Sequence, residues 1–381
     1  MKKKVCFLTQ EYRRGATWIY CLELTKILND KSDWEAQIIT ASKNEKTKTR
    51  EKEPFVYLVE TSSSKYFYSI NYWKKSNKII KKLEPNIVQG NMNLLSSLGI
   101  KKKIPIIETV HTTFSRERRG VNELPFRQLS WVERRVRLFY PLLKFIEKHI
   151  LKRADHLIAV SEAIKQELIK YYSIREEKIS IIPNGVNSKI HYETEDKIYE
   201  KKEGEFVLGF LGRMTAGKGA NLIFPIIKKI KEEIQNVKLL VAGDDLNARK
   251  KILNQINKLG LKDNVTDFGY IYDNHKKNTF YSSVDLLLLP SSHEGMSLVL
   301  LEAMACQTPV LTTPEAETFD HQNTLLIATR SVEDFSSKAI EFYNNPQLAQ
   351  EIKQKSRIAA EQLSWENTTE KTIEIYEKLL F

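Results

Sequence analysis

One pattern runs through this chain twice and limits its folds more than anything else. Short, nearly continuous apolar runs rich in β-branched residues alternate with longer amphipathic segments. In the first half the runs are VCFLT (5–9), AQIIT (36–40), FVYLV (55–59), NIVQ (86–89), IPIIET (104–109) and HLIAV (156–160). In the second they are EFVLGFLG (205–212), VKLLVAG (237–243), NVTDFG (264–269), DLLLLP (285–290) and TPVLTT (308–313). A strand apolar at nearly every position is buried on both faces, which is the state of a parallel strand with helices above and below it. Helical patterns such as 17–29 and 68–83 lie between the runs. The expectation is an α/β chain with two doubly wound parallel sheets, which suits 381 residues better than one domain does. Ligands of such sheets bind outside the carboxyl ends of the strands, and two domains facing each other would leave a cleft.

The first domain is expected over 1–195 and the second over 196–363. IIPNGVNSKIHYETEDKIYEKKEGE opens with a Pro-Asn-Gly turn and stays polar up to the next strand. A terminal helix over 364–381 is expected to cross back to the first domain. No apolar run approaches the ~18 residues that span a bilayer. The start MKKKVCFLTQEYRR has too short an apolar stretch for a signal peptide and reads as a first strand. Cys6, Cys21 and Cys306 form no CxxC pair, which points away from a disulfide framework or zinc knuckle and toward a reducing cytoplasm.

Charge divides the chain. Residues 1–190 hold 37 Lys and Arg against 20 Asp and Glu, and residues 191–381 hold 23 against 28. A basic first half suggests an anionic partner. Within it, FRQLSWVERRVRLFYPLLKFIEKHILKR (126–153) places Leu129, Val132, Val136, Phe139, Leu143, Ile146 and Ile150 at helical steps, with Pro141 as a kink. Such a basic amphipathic helix either lies on an anionic membrane or packs on its own domain.

HEGMSLVLLEAM (293–304) follows the strand DLLLLP. Ser297 is a suitable N-cap for a helix from Leu298, so a helix start sits at the carboxyl end of a strand, where free amides and the dipole favour phosphate. Glu294 lies in the loop ahead of it. Glu302 lies about five residues into the helix, roughly 7.5 Å along its axis. Ionised carboxylates only accept and suit paired sugar hydroxyls. Glu302 could equally be an ordinary surface residue of its helix. FLGRMTAGKGANLI (210–223) also joins a strand to a helix. Its glycines permit close backbone approach, and Arg213 and Lys218 can neutralise a diphosphate. It is not a Walker A loop, because Gly219 stands where the hydroxyl residue would be.

These segments resemble the retaining glycosyltransferases of family 4, which have the GT-B fold of two Rossmann-like domains. Glu294 to Glu302 with the following AMACQTPV looks like that family's E-x7-E and EAMACGTPV. FLGRMTAGKG looks like its G-R-x4-KG. IIPNGV, VSEAIKQEL, VAGDD, RRGATWIYCLELTKIL (13–28) and SWENTTEKTIEIYEKLL (364–380) match too. The resemblance implies donor-diphosphate binding by Arg213 and Lys218, contact of Glu294 with the sugar, and contact of Glu302 with the ribose. Backbone at Gly295, Met296, Ser297 and Leu298 would hold sugar and phosphate, Gly15 would approach the phosphate, and the base would lie near 269–272. His111, in VHTT, matches the family's strand-end histidine near the transferred sugar. No metal is expected, since Arg213 and Lys218 supply the charge, and Asp244-Asp245 reads as a turn. The chain departs from the pattern at Ala16, Gln307 and Thr324, where the family has glycine.

The expected activity is therefore metal-independent hexosyl transfer, with retention, from a UDP- or GDP-sugar to a glycan or lipid-linked acceptor in surface polysaccharide biosynthesis. No cofactor is expected beyond that donor. The acceptor, and a possible anionic membrane surface, are assigned to the basic first domain, around Lys101, Lys102, Lys103, Arg116, Arg118, Arg119, Arg134, Arg135 and Arg137. The protein is expected to be cytoplasmic or peripheral on the inner face of the membrane. A sugar-nucleotide epimerase of the same fold and a non-catalytic glycan- or nucleic-acid-binding module are the alternatives. No nucleic acid is expected, since no recognised RNA motif with interleaved aromatics is apparent.

Overall fold

The computed structural model describes the chain except residues 1, 11, 13–14, 43–53, 62–67, 92–96, 98, 101–102, 123, 244–248 and 317–323. Lys101, Lys102, Asp244 and Asp245 thus lie outside the described residues. The chain divides into two compact units. The first is Met1–Ser115, Phe139–Gly185 and Trp365–Phe381, and the second is Arg116–Leu138 and Val186–Ser364.

In chain order the first half runs β1 (Lys3–Thr9), α1 (Gly15–Lys31), β2 (Trp34–Ser42), β3 (Val56–Glu60), α2 (Tyr68–Leu83), β4 (Ile87–Gly90), β5 (Ile106–Val110), α3 (Phe114–Asn122), α4 (Trp131–Arg153), β6 (His156–Ala159), α5 (Glu162–Tyr172) and β7 (Ile179–Ile181). The strands form one seven-stranded sheet in the order β3-β2-β1-β4-β5-β6-β7, all pairs parallel. Val5, Phe7 and Leu8 of β1 are fully buried, as a strand covered on both faces requires. The strand order reverses between β1 and β4, which makes their carboxyl ends a topological switch point.

The second half runs β8 (Phe206–Leu211), α6 (Ala220–Lys231), β9 (Val237–Ala242), α7 (Arg249–Lys258), β10 (Val265–Asp267), α8 (Asn274–Ser282), β11 (Leu286–Leu289), α9 (Leu298–Ala305), β12 (Val310–Thr312), β13 (Leu326–Ile327), α10 (Val332–Tyr343) and α11 (Pro346–Gln362). Its six parallel strands lie in the order β10-β9-β8-β11-β12-β13, so its switch point falls between β8 and β11. Phe206, Leu208 and Phe210 pack with Ile223, Phe224 and Ile227 of α6 in its core. The last helix, α12 (Trp365–Leu380), belongs to the first unit. There Trp365 and Tyr376 are buried and the Thr368 hydroxyl donates to the Pro183 carbonyl at 2.9 Å.

The division differs from a boundary at 195 in two places. Residues 186–195 belong to the second unit, because Arg357 on α11 donates to the carbonyls of Ser188 and His191, both at 3.1 Å, and Asn278 to that of Ile190 at 2.7 Å. The second difference is larger. Between β5 and β6 the chain leaves the first unit and contributes a strap, Arg116–Leu138, to the second. Val121, Leu124 and Leu129 of the strap form a small core with Ala216. The arginines expected to mark the first domain, Arg116, Arg118, Arg119, Arg134, Arg135 and Arg137, therefore sit in the second unit. The segment 126–153 is also not one helix. A single 3-10 turn covers Phe126–Gln128, and α4 breaks at Phe139 (φ −107°, ψ 17°), because Pro141 cannot donate to the carbonyl four residues back.

Candidate functional site

At the switch point of the second sheet, β8 runs into the Gly212–Gly219 turn, and β11 runs into the loop that starts α9. Arg213 is exposed. Lys218 ends a 3-10 turn, Ala216–Lys218, and its Nζ lies 2.5 Å from Glu294 Oε1. The Ser291 hydroxyl donates to the same oxygen at 2.9 Å. Burial pushes the Glu294 carboxyl up, but the Lys218 ammonium outweighs it and holds the group below its ordinary value. An ion pair thus bridges the two loops of the crevice.

The turn is braced from outside. The Gly217 amide donates to Glu133 Oε1 at 2.7 Å, and Glu133 Oε2 accepts from the Ser130 amide at 2.7 Å. Glu133 thus completes a capping box at the start of α4 and tethers the strap to the turn with its other oxygen. Arg330 donates to the carbonyls of Ala216 at 2.7 Å and Pro290 at 3.0 Å, and the Ser292 amide to that of Gly217 at 2.8 Å. Two glycines make the packing possible. A Cβ on Gly219 (φ +84°) would lie 2.4 Å from the Pro290 carbonyl oxygen, and one on Gly120 would lie 2.3 Å from His293 Nδ1. Burial and the nearby Lys218 ammonium pull His293 down to about 3, so it is neutral at physiological pH.

Ser297 caps α9, its hydroxyl accepting from the Leu300 amide at 3.4 Å. This puts the chain at Gly295, Met296, Ser297 and Leu298 at a helix start on the carboxyl side of β11. Glu302 is not a surface residue; it is 5% exposed. Its Oε1 lies 2.8 Å from Lys277 Nζ and 3.9 Å from His191 Nε2, and its Oε2 accepts from the Tyr281 hydroxyl at 2.9 Å. Burial raises the carboxyl, and Lys277 and His191 bring it below its ordinary value. Each oxygen keeps a second lone pair for a hydroxyl donor. In the segment expected to hold the base, Tyr270 and Tyr272 are exposed with ring centroids 4.2 Å apart.

The structure places Gly15 and His111 in the first unit. Gly15 (φ +75°) opens α1 past β1, and Ala16 is absent from the non-glycine residues of positive φ, so its backbone is ordinary. His111 follows β5. Its Nε2 donates to Asn91 Oδ1 at 3.2 Å, while Asn91 Nδ2 donates to the Leu8 carbonyl at 3.3 Å. Tyr20 meets the imidazole edge-on, with centroids 5.0 Å apart. The buried Nδ1 has no hydrogen-bond partner among the described residues, and burial lowers the ring to about 4. It is a neutral acceptor at the carboxyl edge of the sheet. Sequence reasoning missed Asn91, Glu133, His191, Lys277, Tyr281 and Arg330. Each reaches its partner from a distant element, so no local spacing marks it.

Two doubly wound parallel sheets, the second with a cationic glycine turn and a carboxylate across its switch point, define the GT-B class. The pattern described as Glycosyl transferases group 1 matches residues 191–359, and that described as Glycosyltransferase Family 4 matches 18–189. The chain belongs to the family 4 glycosyltransferases. It is 26% identical over 193 residues, 46% of this chain and 47% of the relative, to the capsular polysaccharide biosynthesis glycosyltransferase CapM of Staphylococcus aureus. Its fold is similar to that of sucrose-phosphate synthase from Thermosynechococcus elongatus, with TM-score 0.82, 19% identity and 99% of both chains covered. It is also similar to Anabaena HepE in complex with UDP and glucose, with TM-score 0.73, 18% identity and 98% and 99% of the chains covered. The chain spans about half the length of the curated relatives it matches, 41% and 47% for two of them.

Proposed function

We propose that this protein is a retaining, metal-independent glycosyltransferase. It moves a hexosyl group from a UDP- or GDP-sugar to a hydroxyl of a glycan or lipid-linked acceptor in surface polysaccharide assembly. The observation that carries this reading is the Lys218–Glu294 pair, which straddles the second sheet's switch point beside the exposed Arg213. An incoming diphosphate takes up the charges of Arg213 and Lys218, and Glu294, held ionised, turns its free lone pairs to the sugar hydroxyls. Glu302 accepts from the ribose, and His111 accepts from the transferred sugar through Nδ1. The bond from C1 to the phosphate oxygen breaks on the face where the acceptor oxygen bonds, which preserves the configuration. The acceptor proton passes to the departing phosphate oxygen. Two cations on the leaving group supply stabilisation that a metal would otherwise give. The binding of UDP and glucose by a structural neighbour and the capsular role of a relative support the donor and product classes. The same reading puts the protein in the cytoplasm, peripheral to the membrane.

The test is calorimetric titration with UDP, GDP and ADP in chelator, beside the Arg213→Ala/Lys218→Ala variant. One nucleotide is expected to bind, and the variant to lose on the order of a hundredfold in affinity, as two charge-assisted contacts imply. Equal binding by the variant would remove the assignment. Conversion of a sugar nucleotide with no acceptor present would favour the epimerase.

A further inference from the structure

Helix α4 is apolar on two sides. One stripe faces inward: Leu143, Glu147, Ile150 and Leu151 are buried, with Glu147 bonded to the Phe114 amide and the Tyr172 hydroxyl. The other faces solvent. Phe139 is 55% exposed, Leu142 57% and Phe145 71%. Leu142 and Phe145 stand three residues apart and share one side of the helix, and Phe139 sits at its break, just before Pro141. Single exposed apolar side chains need no explanation, but three large ones so close together do.

Beyond the break, the charges of α4 are sorted by sign. Its one carboxylate, Glu147, turns inward and is buried, while Lys152 is exposed and Lys144 and Lys148 are half-buried. Lys144 Nζ lies within 5.8 Å of the ring centroids of Tyr140, Tyr171 and Tyr172. An apolar, aromatic stripe edged by lysines and tyrosines suits the headgroup zone of an anionic bilayer, where aromatic rings sit at the interface and lysines meet lipid phosphates. A second copy of the chain fits worse. A two-fold contact on this face would set its lysines against the same lysines. No helix among the described residues is long and apolar enough to cross a membrane, so the stripe would lie on the bilayer.

We propose that Phe139, Leu142 and Phe145 form a membrane-docking face that seats this protein on an anionic lipid surface. This deepens the reading of a membrane-held acceptor and rests on it. The contact is apolar insertion aided by lysines, and the arginines of the strap are not its source. Sedimentation with phosphatidylcholine vesicles, alone or with phosphatidylglycerol, tests it at low and high salt. The full chain should pellet with the anionic vesicles and remain partly bound at high salt, because insertion is not screened. Leu142→Ser/Phe145→Ser, which replaces only exposed side chains, should lower the partition coefficient roughly tenfold or more, with nucleotide binding and circular dichroism unchanged. Arg134→Ala/Arg135→Ala should pellet like the parent. Nucleotide binding without vesicle binding would overturn the docking face and leave the donor site standing. So would a Leu142→Ser/Phe145→Ser variant that pellets normally, or one whose only change is a dimer lost in ultracentrifugation. Failure to bind any nucleotide would instead strike the functional reading beneath it.

Discussion

The switch points of the two sheets have the same topology and different chemistry. At the first, the groups that touch His111 are neutral, Asn91 and Tyr20, and the ring itself is uncharged. At the second, they are charged and paired: Lys218 with Glu294, and Lys277 with Glu302, beside an exposed Arg213. Neutral groups discriminate hydroxyls by hydrogen-bond geometry, while charged groups respond to phosphate. On the reading proposed above, the second switch point meets the diphosphate and the sugar with charged groups, and the first adds one neutral acceptor, His111.

The deepest challenge to this contrast is Glu302→Ala. It leaves the partly covered Lys277 ammonium and the buried Tyr281 hydroxyl without their acceptor, and the expected cost is roughly 3 kcal/mol, read from urea unfolding. A cost below about 1 kcal/mol would mean that the charges of the second unit behave like surface charges. Next is Glu133→Ala, which frees the Gly217 amide. Loss of a charged acceptor implies about 1.5–3 kcal/mol, and it should appear in the binding of the nucleoside diphosphate but not of the bare nucleoside. Equal loss for both ligands would make the strap a general support and not a brace of the phosphate turn.

The strands and most helices were legible because a buried parallel strand and an amphipathic helix each leave a period in the sequence. The helix read over 68–83 is α2 residue for residue. The misses were β7 and β13, edge strands of three and two residues, too short for any period. In the site, Lys218 and Glu294 could be found because each follows a strand and sits in a loop of distinctive composition. Glu133 could not, since its partner Gly217 is 84 residues away. The strap misled for a related reason. Its arginines make a basic stripe in sequence, but only the apolar trio Val121, Leu124 and Leu129 shows which unit receives it.

A gentler probe uses pH, because each unit holds a histidine whose pKa is driven far down by desolvation. His111 falls to about 4 and His293 to about 3 from an ordinary 6.5. Both folded values lie below the unfolded value, so between them the unfolded chain binds more protons. Their contribution is complete above pH 6.5 and declines as pH falls toward 4. The depressed Glu294 and Glu302 carboxyls add to this below their ordinary 4.5. Thermal midpoints should therefore start to drop near pH 6.5. A flat profile down to pH 5 would mean that both rings are solvated. The smallest expected effect is at Gln307, whose φ of +57° places a side chain where glycine is at ease. Gln307→Gly should raise stability by roughly 1 kcal/mol, seen as a higher urea midpoint.

The strap also bears on how the protein is made. Residues 116–138 leave the ribosome well before Ala216, against which Val121, Leu124 and Leu129 close. At ~5–20 residues per second, that interval is on the order of ten seconds. For that time the nascent first unit carries an apolar loop with nowhere to dock, and β6 must join its sheet around it. Stalled or truncated chains ending before β8 should therefore be the aggregating, chaperone-bound species of this protein, although a full sheet's worth of strands is already present in them.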